Sequence, residues 1–96
     1  MKSLLILGAG GFGHMIQETA MQLGYEKVSF LDDAVKDPLV VGKCCDYRDF
    51  LDSYEAAVAA LGDNGMRLYW TEKLKEAGYK EPALIHPSAV VSPSAQ

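Results

Sequence analysis

A chain of 96 residues, 49% hydrophobic and 23% charged, has the size and composition of one soluble globular domain rather than of a disordered segment. Its net charge of −4, with nine lysines and arginines scattered from Lys2 to Lys80, argues against nucleic acid as a partner, because no basic stripe is present to displace counterions from phosphates. No apolar run approaches a membrane span, glycines break the apolar stretch after Leu7 before it can act as a signal peptide, and the adjacent Cys44 and Cys45 suit a reducing compartment. The expected location is therefore cytoplasmic, with both thiols buried.

In chain order, the first element is "SLLILG" at 3–8, a continuous apolar run closed by glycine, as expected of a strand buried on both faces. "GFGHMIQETAMQLGY" follows, with Ile16, Ala20 and Leu23 at helical spacing and Gly24 as the stop signal. "KVSFLDD" at 27–33 puts Val28 and Phe30 on one face and reads as a second strand ending in two acids. Between 34 and 45, Asp37-Pro38 marks a turn and "LVVG" predicts a short edge strand. "DYRDFLDSY" from Asp46 predicts a short helix capped by that aspartate.

"EAAVAALG" at 55–62 is alanine-rich, which favours helix, but its place between two polar turns predicts a buried strand. "NGMRLYWTEKLKEAGY" predicts a helix with Met66, Trp70 and Leu74 as its apolar stripe and Gly78 as its stop. "PALIHP" at 82–87 predicts a last strand. Strands alternating with helices imply a parallel sheet, here of about four strands and half a dinucleotide-binding fold. The fold class is α/β, a Rossmann-like short parallel sheet with flanking helices.

Gly8, Gly10 and Gly13 of "GAGGFG" match G-x-G-x-x-G, with a strand before, a helix after, and Asp32 and Asp33 about twenty residues on. Such a loop lets a phosphate approach the backbone and meet the free N–H groups of the helix start. A cluster that only packs strand against helix would show the same letters. Asp32, directly after the second strand, is the better candidate for accepting hydrogen bonds from a ribose or base, and Asp33 is the more solvated of the pair. Asp63 or Asn64 of "GDN" can cap the following helix, and capping alone would explain them. Arg67, one turn on, reaches either a phosphate or water. Met66, Tyr69 and Trp70 fit core or interface better than a stacking surface. His14 reads as a polar cap beside the site and His86 as structural. The two histidines and the cysteine pair do not make a zinc set, so no metal is expected.

"LLILGAGGFG", "FLDD", "GDN", "EKLKEAGY" and "LIHPSAVVSPSA", in this order and spacing, resemble bacterial nucleotide-sugar acyltransferases. These are the bacillosamine-type N-acetyltransferases and the related sialic-acid O-acetyltransferases. The resemblance covers essentially the whole chain. It implies an N-terminal domain at 1–86 that binds a UDP-linked amino sugar through Gly8, Gly10, Gly11, Phe12, Gly13, Asp32 and Asp33, with Asp63 and Asn64 as further candidates. It also implies that 87–96, where Pro-Ser-Ala at 87–89 returns at 93–95, begins a left-handed β-helix. A single solenoid coil cannot bury its own apolar face.

In that family the general-base histidine and the acetyl-coenzyme A site belong to the β-helix, which also forms the homotrimer. The resemblance therefore implies no catalytic residue and no cofactor in this domain, with acetyl-coenzyme A as co-substrate of the full-length protein. The fragment alone is expected to be inactive and monomeric or weakly associated. Many members carry histidine where this chain has Phe12, which bears on the sugar rather than the fold. Two other readings account for part of the sequence. A domain of NAD type would explain the glycine loop and Asp32 but not the tail, and a non-catalytic assembly or regulatory domain would need no nucleotide at all.

Overall fold

The computed structural model describes residues 3–61 and 63–80. Four strands, β1 (Ser3–Leu7), β2 (Lys27–Leu31), β3 (Val40–Gly42) and β4 (Ala56–Ala59), form one sheet in the order β3-β2-β1-β4. All three pairings are parallel. Two α-helices flank the sheet, α1 (Gly11–Gln22) and α2 (Asn64–Ala77), and a 3₁₀ helix covers Cys44–Phe50.

β1 explains why the sheet forms where it does. All five of its residues are buried, and its side chains alternate between two cores. Leu4 and Ile6 pack with Ile16 and Ala20 of α1 and with Phe30. Leu5 and Leu7 pack with Tyr47, Tyr54, Leu74 and Tyr79 on the opposite face. A strand covered on both faces needs apolar residues at every position, which is what "LLIL" supplies. β4 is a strand despite its alanines. Ala56, Ala57 and Ala59 are buried beside β1, and tertiary packing overrides their helical propensity.

Three expectations need correction. The short helix expected from Asp46 is a 3₁₀ helix that starts at Cys44, and Asp46 is not its cap residue. Asp46 lies inside the first turn, and its Oδ2 accepts from Lys43 N at 3.0 Å. Cys44 is buried as expected, but Cys45 is exposed. The Cys44 thiol donates to Leu31 O, and burial, then Asp33, Asp32 and Cys45, push it up to about 12. Along α2, Leu74 is buried and Trp70 packs edge-on against Tyr47 at 5.5 Å, but Met66 is 48% exposed and Tyr69 is exposed as well. The first turn of α2 stands at the carboxyl edge of the sheet, past the end of the apolar surface that buries Leu74.

The strand expected at 82–87, His86 and the β-helix tail lie outside the described residues. Lys80, just before them, already pairs in parallel with Ala56 on the outer side of β4. Ala57 N donates to Lys80 O at 3.2 Å and Lys80 N to Glu55 O at 3.3 Å. No helix among the described residues is long and apolar enough to cross a membrane.

Candidate functional site

After β1 the chain moves outward through β2 and β3, then returns to place β4 on β1's other side. The carboxyl ends of β1 and β4 are therefore the topological switch point, where open α/β sheets form a ligand crevice. The glycine loop follows β1 and the start of α2 follows β4, so both border this crevice.

The four glycines of the loop divide into two kinds. Gly8 has φ +111, in the left-handed region, and a Cβ there would come within 2.9 Å of Ala60 O. Gly13 is buried, and a Cβ there would run into the Gly8 carbonyl oxygen. These two are needed by the packing of β1, α1 and the loop after β4. Gly10 and Gly11 are different. A Cβ at either would meet nothing within 4 Å among the described residues, and Gly10 has an ordinary extended backbone at φ −81, ψ −164. Among the described residues nothing requires glycine at 10 or 11.

Gly10 is also the N-cap of α1, and no side chain caps that helix or places an acid in its first turn. Among the described residues no acceptor meets the N–H groups of Gly11 and Phe12. The start of α2 is closed instead: Asp63 is the N-cap, and its Oδ1 accepts from Met66 N at 2.9 Å. Of the two capping candidates the structure selects Asp63. Asn64 Oδ1 accepts from Arg67 Nη2.

Asp32, the candidate for accepting hydrogen bonds from a ribose or base, reaches the glycine loop, and its carboxylate is largely committed to the chain's own backbone. Oδ2 accepts from Ala9 N at 2.8 Å, inside the glycine loop. Oδ1 accepts from Ala34 N and Val35 N, both at 2.8 Å. Burial pushes this carboxyl upward, but the three N–H donors outweigh it and hold Asp32 below the usual carboxylate range. Asp32 is thus a strut joining the glycine loop to the turn after β2. Asp33 is exposed, and its Oδ1 accepts from Cys44 N at 3.0 Å. The two acids border an open depression of about 420 Å³ lined by residues 32–37 and 40–43.

Two links were not legible in the sequence. The His14 ring on α1 packs tilted against Phe30, with centroids 4.9 Å apart, and its Nε2 lies 3.4 Å from Asp37 Oδ2 in the loop after β2. In the sequence Asp37-Pro38 is a turn signal and nothing more. Among the described residues no hydroxyl or thiol reaches the His14 ring, so the pair is no nucleophile-activating triad. Phe12 is half-buried against the α1-side core, and the Arg67 guanidinium lies 5.7 Å from its ring centroid. Among the described residues no cluster of three His, Cys, Asp or Glu is placed to hold a metal ion.

Among the described residues the arrangement offers backbone amides without an internal acceptor beside acids that accept hydrogen bonds. Comparison with known proteins agrees with a fold of this kind. Residues 3–74 match the model of the PglD N-terminal domain. The acetyltransferase domain of PglB from Neisseria gonorrhoeae, solved in complex with acetyl coenzyme A, is 36% identical with a TM-score of 0.81, over 97% of this chain and 48% of that one. PerB from Caulobacter crescentus, in complex with CoA and GDP-perosamine, is 30% identical with a TM-score of 0.75, over 98% of this chain and 47% of that one. A mutant of perosamine N-acetyltransferase from the same organism, also in complex with CoA and GDP-perosamine, is 27% identical with a TM-score of 0.80 over the same shares. The chain spans about half the length of the solved structures it matches.

Proposed function

The chain belongs to the PglD N-terminal domain family, and on that premise we propose that it is the nucleotide-sugar-binding domain of a sugar acetyltransferase. The observation that carries this reading is the pair Gly10 and Gly11, glycines that no contact among the described residues requires, at the uncapped start of α1. A loop kept bare toward solvent suits a ligand whose diphosphate lies against backbone N–H groups. The nucleoside extends toward Asp33 and the depression beside it, and Asp32 holds the loop and the turn after β2 in fixed relation. The sugar is thereby held at its far end while the reaction takes place elsewhere.

In the whole protein the amine or hydroxyl of that sugar attacks the thioester carbonyl of acetyl-coenzyme A. The acetyl C–S bond breaks, the coenzyme leaves as its thiol, and a base removes the proton of the attacking group. This domain's share is positioning, which lowers the barrier by pre-paying orientation. The ligand is a UDP-linked amino sugar. A GDP-linked sugar is the second candidate, since two of the similar structures hold GDP-perosamine.

An NAD-type domain would need a second mononucleotide half beside β4, and the described strands make up one half. Calorimetric titration of the 96-residue chain with UDP-N-acetylglucosamine, GDP-mannose and NADH separates the readings. One-site binding of a nucleotide sugar with no NADH heat is the expected result. Tighter binding of NADH than of either sugar nucleotide would reverse the assignment.

A further inference from the structure

We infer that Arg67 supplies the positive charge that reads the ligand's diphosphate, and that the Phe12 ring is the platform that aims it; this rests on the nucleotide-sugar reading above. The first observation is local. Arg67 lies one turn into α2, where a cation opposes the helix dipole and weakens rather than supports the helix. A residue that breaks a local rule needs a compensating partner, and such breaks concentrate at functional sites.

Among the described residues no charged partner compensates it. The guanidinium donates to Asn64 Oδ1 and lies 5.7 Å from the Phe12 centroid, and both groups are uncharged. Asp63, the acid nearest in sequence, already uses Oδ1 to cap Met66 N. Among the described residues no carboxylate lies within ion-pair distance of Arg67. The described chain's other arginine is held in the same manner, with Arg48 Nε donating to the Tyr47 hydroxyl at 3.1 Å and its guanidinium 5.5 Å from the Tyr47 ring centroid, but it lies on the face away from α1, so placement distinguishes Arg67.

The second observation is placement. Arg67 belongs to the helix after β4 and Phe12 to the first turn of the helix after β1, so their contact spans the switch-point crevice. Phe12 is the immediate neighbour of the bare Gly10–Gly11 pair. A guanidinium carries five donors in a rigid fork, and one of them is engaged by Asn64. Resting the fork on an aromatic face restricts its motion without neutralising it, which leaves the remaining donors preorganised for a bidentate pair with phosphate oxygens. A diphosphate lying on the loop amides would thus meet Arg67 from the α2 side. A nucleoside without phosphate would gain nothing from this residue.

The test measures affinities of the 96-residue chain and its Arg67→Gln, Arg67→Lys and Phe12→Ala variants for UDP-N-acetylglucosamine, UDP and UMP by calorimetry, with the GDP series run in parallel. Arg67→Gln should weaken diphosphate binding by about tenfold to a hundredfold, as for loss of one charge-assisted pair. The loss should shrink from UDP to UMP, the dependence of binding on salt should become shallower, and Arg67→Lys should recover part of the affinity. Phe12→Ala should weaken UDP by less than Arg67→Gln does. Melting temperature should hold or rise in Arg67→Gln, because the charge opposing the dipole is gone. Wild-type binding of UDP or GDP sugars with unchanged affinity in Arg67→Gln would overturn the role of Arg67 alone. Equal losses for UDP and UMP with a lowered melting temperature would reduce Arg67 to a structural residue. Failure of the wild type to bind either series would remove the nucleotide-sugar reading and this inference with it.

Discussion

The two helix starts at the carboxyl edge of the sheet are built in opposite ways. α2 opens on Asp63, whose carboxylate accepts the Met66 N–H, so the chain satisfies that end itself. α1 opens on Gly10, with no side-chain cap and no acid in its first turn, beside a second glycine that nothing among the described residues requires. Helix ends leave several N–H groups without intrahelical partners, and a self-sufficient domain closes them with side chains. The proposed function uses that difference, with the open start taking the external anion and its neighbour closed by the chain itself.

The comparison can be tested from its most damaging break to its gentlest. Gly13→Ala should have the largest effect, because the new Cβ meets the Gly8 carbonyl oxygen and backbone cannot move aside. A loss of about 3 kcal/mol or more is expected, lowering the melting temperature by more than about 10 °C. Thermal unfolding followed by circular dichroism measures it, and a shift of only a degree or two would mean that the third glycine does not hold α1 against the loop.

Asp32→Asn comes next, at about 1–3 kcal/mol, because the amide turns a donor toward one of the three N–H groups now bonded to the carboxylate. The folded-state value of Asp32 is lowered, so its contribution is fully present above the ordinary carboxylate value of about 3.9 and disappears as pH falls through the lower folded value. Wild type and variant should therefore differ at pH 7 and converge in strong acid. Denaturant melts across pH 2–7, a range set by the ordinary carboxylate value of about 3.9, check this directly, and a gap that persists unchanged at the acid end would refute the strut.

Asp63→Ala should cost about 1 kcal/mol by removing the cap of α2. Nucleotide-sugar affinity should change by less than about threefold if that helix start is truly closed to ligand, a difference well under 1 kcal/mol. The smallest stability effect is also the sharpest comparison. Gly10→Asp gives α1 the kind of cap that α2 already has, and the extended backbone at Gly10 accepts it. Stability should rise by a few tenths of a kcal/mol while diphosphate binding is lost, since a carboxylate now occupies the anion's place. Retained affinity in this variant would show that the ligand does not use the start of α1.

Much of the fold was legible. β1 announced itself because a strand buried on both faces must be apolar throughout, and β3 because Gly42 closes a short valine run. The alanines of β4 were assigned from their position between polar turns rather than from propensity. Errors fell where a neighbour outside the local segment decides. Met66 shares the helical period of Leu74, but period says nothing about where the apolar sheet surface ends. Asp46 has the chemistry of a cap, yet the turn begins before it. Cys44 and Cys45 look equivalent in sequence, and only the path of the chain past Leu31 buries one and exposes the other.

By itself the sequence determined the alternation of strand and helix, the glycine loop at its first turn and the acids at its second. These are local matters, controlled by side-chain period, backbone freedom and turn chemistry within a few residues. Only the tertiary structure decided which glycines serve packing and which stay bare, that Asp32 is bound to Ala9 across 23 positions, and that Arg67 rests on Phe12. Each of those facts joins segments that are distant in the chain and adjacent at the switch point. A parallel sheet creates that adjacency, because every crossover returns the carboxyl ends of its strands to the same edge.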